Sequence, residues 1–153
     1  MGLVVTAPAD DALVQSFEAG DMPDGGFRHP DHVRVAWWYL LRYPLPQAIA
    51  IFSEGLRTFA AARGKPEMYH ETITIAYVLL ISERLDGAGA ASTLPWPAFA
   101  ERHADLLAWN PSILERYYTP DTLWSERARR TFVMPDRLHS PESIAAHPDR
   151  RAP

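Results

Sequence analysis

The chain has no cysteine, which removes structural disulfides, thiolate zinc sites, iron–sulfur clusters and cysteine nucleophiles in one step. It also has no surplus of positive charge: 15 lysines and arginines stand against 19 aspartates and glutamates, a net charge of −4. A protein that neutralises many phosphates carries the opposite balance, so nucleic acid is not an expected partner. No apolar run approaches the ~18 to 20 residues needed to span a bilayer, so no membrane partner is expected either. The opening stretch MGLVVTAPADDALV lacks a basic segment and meets acid at Asp10. It does not read as a secretory signal, and a cytoplasmic location is the expectation.

Several catalytic signatures are missing as well. Gly87 and Gly89 follow no strand and belong to no G-x-G-x-x-G or G-K-[ST] pattern, so no phosphate-cradling loop is read there. The serines lack a nucleophile elbow, and His70-Glu71-Thr72 is not an H-E-x-x-H metalloprotease motif because position 74 is threonine.

What is present is a chain of 153 residues, 47% apolar and 22% charged, long enough to bury roughly 70% of its unfolded surface around one core. Fourteen prolines and eight glycines divide it into segments of helical period. The expectation is an all-α fold, a bundle of three longer helices with two or three short ones. Residues 1–26 read as an N-terminal arm with a short amphipathic turn near 12–17, residues 27–137 as a single helical domain, and 138–153 as a flexible tail poor in apolar side chains. The first long helix runs over 30–43, with Pro30 at its start and an apolar stripe of Val33, Trp37, Leu40 and Leu41. The second covers 47–63 and stops at Gly64. The third, 66–85, is apolar almost all round and therefore central. A Gly, Ala and Ser-rich loop at 86–93 precedes short helices over 96–107, 111–118 and 120–132.

The histidines carry the chemical signal. His29 and His32 lie three residues apart at the start of the first long helix, where His29, just before Pro30, also suits a cap. On the third helix His70, Thr74, Tyr77 and Ile81 fall on one stripe, and buried polar groups on a central helix must find partners. Inward-facing histidines on neighbouring helices are how bundles build metal sites. Two readings follow and stay open. In one, His29, His32 and His70, with a carboxylate from Glu71, Asp31 or Glu115, hold a divalent transition metal (Zn, Fe, Mn or Ni). In the other, the same residues line a metal-free polar pocket. Arg127, Arg129 and Arg130 read first as solvated surface, with an anion or partner contact as the alternative.

The runs Phe27-Arg28-His29-Pro30-Asp31-His32-Val33-Arg34-Val35-Ala36-Trp37 and Lys65-Pro66-Glu67-Met68-Tyr69-His70-Glu71-Thr72, with Tyr117-Tyr118 and Pro135-Asp136 towards the end, resemble a group of small, uncharacterised bacterial helical proteins. The resemblance covers about residues 27–137 and implies a shared helical fold; it brings no activity with it.

Functionally, an enzyme would use His32, His70 and Glu71 as metal ligands or acid–base groups, since imidazole titrates near neutrality. Trp37, Tyr69, Thr74 and Tyr77 would then line a pocket for a small-molecule ligand. The alternative is a non-catalytic ligand-binding or interaction module with structural histidines, whose partner is a second copy or another protein. A small-molecule site is favoured, because the polar stripe on a central helix has to be accounted for.

Overall fold

Proline marks where the helices of this protein begin. In the computed structural model, which describes residues 6–21, 26–87 and 94–137, a proline occupies the first or second position of α1 (Pro8–Ala19), α2 (His29–Arg42), α3 (Leu45–Ala62), α5 (Trp96–Arg102) and α7 (Pro120–Leu123). Its fixed φ suits the first turn, where its missing N–H costs no hydrogen bond. The remaining helices are α4 (Glu71–Gly87), α6 (Ala104–Leu107) and α8 (Glu126–Arg130), with short 3₁₀ turns at Pro66–Met68 and Ile113–Arg116. The fold is all-α, and among the described residues there is no strand.

Helices α2, α3 and α4 pack against one another; α6 leans on α2 and α4, and α8 on α4. The central element is α4, as its sequence demands: Thr72, Thr74, Ala76, Tyr77, Val78, Leu80 and Ile81 are all buried. Its start differs from the expected one. Pro66 opens a separate 3₁₀ turn, and α4 begins only at Glu71. The segments 96–107 and 120–132 are each broken in two, the first at His103 and the second at Ser125, whose hydroxyl accepts from the Ala128 amide at 3.1 Å and starts a new helix. The proposed tail and residues 88–93 of the expected loop lie outside the described residues.

Residues 8–19 go beyond the short turn read for the N-terminal arm. They form three turns of helix that pack on α2 and α3, with Val14 and Phe17 in the core. The pairing is polar as well as apolar: the buried carboxylate of Asp10 accepts from the Ala7 amide at 2.6 Å and from the guanidinium of Arg34 on α2. The Phe17 ring stacks on Phe27 at 5.2 Å and contacts Phe52 and Phe59 at 6.0 and 6.2 Å between centroids. Gly55 on α3 makes room for it, since a Cβ there would lie 2.8 Å from two atoms of the ring.

The last described segment is strapped to α4. The buried Thr72 hydroxyl donates to the Thr131 carbonyl at 2.9 Å and accepts from the Val133 amide at 3.1 Å, and the Tyr118 hydroxyl donates to the Val133 carbonyl at 2.7 Å. Arg84 on α4 grips Asp105 on α6 through two hydrogen bonds of 3.0 and 2.7 Å.

The Phe17–Gly55 contact yields a testable coupling. Phe17→Ala is expected to cost about 3 to 5 kcal/mol through the cavity it leaves, and Gly55→Ala about 1 to 3 kcal/mol through overpacking. In the double variant the added methyl occupies space the ring has vacated, so its cost should fall well below the sum of the two. Urea unfolding of the four proteins checks this, and additive costs would contradict the contact.

Candidate functional site

Where α2, α3 and α4 meet, the bundle does not close. It encloses a cavity of about 900 Å³ that continues past the 3₁₀ turn at 66–68 to the segments carrying Trp109 and Trp124. Its walls are apolar, built by Phe27, Val33, Ala36, Phe52, Leu56, Phe59, Ala60, Ile73 and Ile81. The volume falls within the range of pockets that hold drug-sized ligands.

All three histidines of the sequence reading, His29, His32 and His70, line this one cavity, with Tyr69, Thr74 and Tyr77. Glu71 and Trp37 do not. Glu71 accepts from the Arg57 guanidinium at 2.6 Å and from the Tyr69 hydroxyl at 3.0 Å. Trp37 is fully buried against Trp96 and Phe99, and among the described residues its indole N–H has no partner.

His70 sits immediately before α4 and acts as its cap. The Ile73 amide donates to Nδ1 at 3.1 Å, so that nitrogen is unprotonated; Nε2 lies 2.8 Å from the Leu123 carbonyl and must carry the proton. Both nitrogens are thereby engaged, and the tautomer is fixed. Thr74 is engaged too, its hydroxyl donating to the His70 carbonyl at 2.7 Å. His29 reaches Leu106 in the same manner, Nε2 donating to the carbonyl at 2.8 Å, with its ring against Tyr77 (4.7 Å) and Trp109 (5.0 Å). Tyr77 shares a hydrogen bond of 2.6 Å with Ser112.

His32 is different. Its ring lies 4.2 Å from that of Phe27, and among the described residues neither nitrogen has a hydrogen-bond partner. Burial, helped by the nearby His29, lowers its pKa to about 4. Burial also lowers the pKa of His29 and His70, against the opposing pull of the carbonyls of Leu106 and Leu123. The three imidazoles are therefore neutral at pH 7. For His32 this departs from the neutral-range titration expected for an acid–base histidine, because burial among apolar walls disfavours the charged form.

The arrangement brings the histidines together without assembling a ligand set for a metal. Among the described residues no three His, Asp or Glu side chains are grouped to hold an ion. His70 has no lone pair to offer, Asp31 turns back to accept from the Arg28 amide at 3.0 Å, and Glu115 is exposed and away from the cavity.

Other features escaped the sequence reading. Met68, Trp109 and Trp124 line the cavity yet are 71%, 46% and 62% exposed, which places them at its mouth. Arg129, read first as surface, also lines it, holding the Glu67 carbonyl at 2.8 Å while paired with Glu126.

No protein-family model matches the sequence, and no curated protein or solved structure matches it. No helix among the described residues is long and apolar enough to cross a membrane.

The depressed histidines make stability depend on pH with a definite sign. The unfolded chain takes up protons near pH 6.5 and the native His32 only near pH 4. Stability is fully present above pH 6.5 and is lost as the pH falls from there towards 4, where His32 alone accounts for up to about 3 kcal/mol. Urea midpoints measured across this range should fall with acid in the wild type and fall less steeply in His32→Phe. Equal slopes would show that His32 is not buried in its neutral form.

Proposed function

We propose that this protein binds one small apolar molecule in the cavity between α2, α3 and α4 and engages it through the neutral imidazole of His32. The observation that carries the reading is the state of the polar groups around the cavity. Among the histidine, threonine and tyrosine side chains that line it, only His32 makes no hydrogen bond within the described residues. The half-buried His32 ring lines the open chamber with its nitrogens uncommitted, so a polar atom that enters meets one donor and one acceptor. A large apolar chamber with a few convergent polar atoms is the usual form of a ligand site.

The chemistry favours recognition over proton transfer. A general base works best with a pKa close to the working pH, and His32 lies well below that. A neutral imidazole still offers one donor and one acceptor. It reads a hydroxyl, amine or amide on the ligand. A metal-dependent reaction at the same helix starts finds less support, since His70 and Glu71 are already committed to structural partners.

N-phenyl-1-naphthylamine, neutral and aromatic with a single N–H, tests the proposal. It should bind saturably at one site and quench Trp109 and Trp124. Ala60→Phe, which fills part of the chamber, should weaken it more than tenfold. His32→Leu should weaken it about fivefold, the worth of one net hydrogen bond. Failure of the dye to bind at a single site, or binding unaffected by Ala60→Phe, would refute the cavity as its seat.

A further inference from the structure

The cavity mouth carries charge that its interior lacks. Five charged side chains line the site: Arg28, Arg63, Lys65 and Arg129 against Glu67. Four cations beside one carboxylate run opposite to a chain whose net charge is −4. Arg129 is already neutralised by Glu126 at 2.6 Å. Arg28, Arg63 and Lys65 take part in no ion pair among the described residues.

Position strengthens the point. Arg63 and Lys65 flank Gly64, whose left-handed backbone (φ +69°) turns the chain away from the end of α3. The Arg63 guanidinium lies over the ring of Phe59, 4.3 Å from its centroid, and Phe59 is itself a wall of the cavity. The cation is thus held against the aromatic face of a residue that, like Arg63 itself, lines the chamber. A charged group of the ligand has no place further in, where the walls are apolar and the histidines neutral, because an unpaired charge there would lose its hydration without compensation.

Resting on the reading of the cavity as a ligand site, we infer that its ligand is an amphipathic organic anion, with its body, apolar apart from the neutral polar atom that His32 meets, in the chamber and its single acidic head at the rim, held by Arg63 and Lys65. The head remains partly hydrated while the body leaves water. Affinity comes from the body and selectivity from the rim.

Three probes with the same ten-carbon body separate the possibilities: decanoate, 1-decanol and decylamine, titrated calorimetrically at pH 7 into the wild type and into R63Q/K65Q. Decanoate should bind at least tenfold more tightly than either of the others. In R63Q/K65Q its affinity should fall at least fivefold, with that of 1-decanol unchanged within twofold. Raising the salt to 0.5 M should weaken decanoate alone, since exposed charges are screened. Equal binding of decanoate and 1-decanol would overturn the anion inference and leave the cavity reading standing. A decanoate preference that survives in R63Q/K65Q would overturn the assignment to these two residues. If none of the three binds at one site, the cavity reading itself falls.

Discussion

The arrangement around the cavity depends on how His70 is held. One nitrogen of its ring satisfies the start of α4 and the other ties down the carbonyl of Leu123, so a single side chain joins the central helix to the short segments that follow it. His29 makes the matching connection from α2 to Leu106. The His70 link requires a neutral ring, because Nδ1 accepts from the Ile73 amide while Nε2 donates to Leu123. It therefore needs the apolar surroundings that disfavour protonation, whereas the His29 link asks only for a proton on Nε2. The cavity walls and the histidine tautomers maintain each other.

The same logic extends to the N-terminal helix. Phe27 and Phe59 form part of the cavity wall, and Phe17 of α1 packs behind both. The buried pairing of Asp10 with Arg34 fixes α1 against α2. An element that looks peripheral from its position in the chain thus supports the far side of the proposed site. On the opposite side the strap from Thr131 to Val133 holds α8, and with it Arg129, near the mouth.

Much of the fold was legible in the sequence, for reasons that can be stated residue by residue. The apolar stripe of α2, the glycine after α3 and the near-uniform apolarity of α4 are strong periodic signals, and the all-α class follows from them. The pairing of His29 with His32 and the alignment of His70 with Thr74 and Tyr77 were also visible, because positions three or four apart share a side of a helix; that the two groups meet in one cavity was not. What was hidden depended on tertiary contacts. The role of His70 as a cap turns on α4 starting at Glu71 and not at Pro66, a difference set by the 3₁₀ turn between them. Trp37 lies on the stripe assigned to it, and its neighbour Val33 does line the cavity, but the Trp37 ring meets Trp96 and Phe99 from a helix distant in sequence. The low pKa of His32 is a property of its surroundings, which no local pattern encodes. The break at Ser125 came from a local cap that overrides a continuous helical period, whereas the one at His103 has no side-chain cap.

The central claim is that the cavity histidines are neutral structural and recognition groups, with the proton of His70 fixed on Nε2. Long-range proton–nitrogen correlation of the imidazole rings in ¹⁵N-labelled protein, followed from pH 8 to 4, tests it directly. His70 should show only the Nε2–H tautomer, with Nδ1 shifted as a hydrogen-bond acceptor, and His32 should stay neutral until the pH approaches 4. A rapidly exchanging tautomer mixture for His70, or an imidazolium signal for His32 at pH 6, would contradict the account.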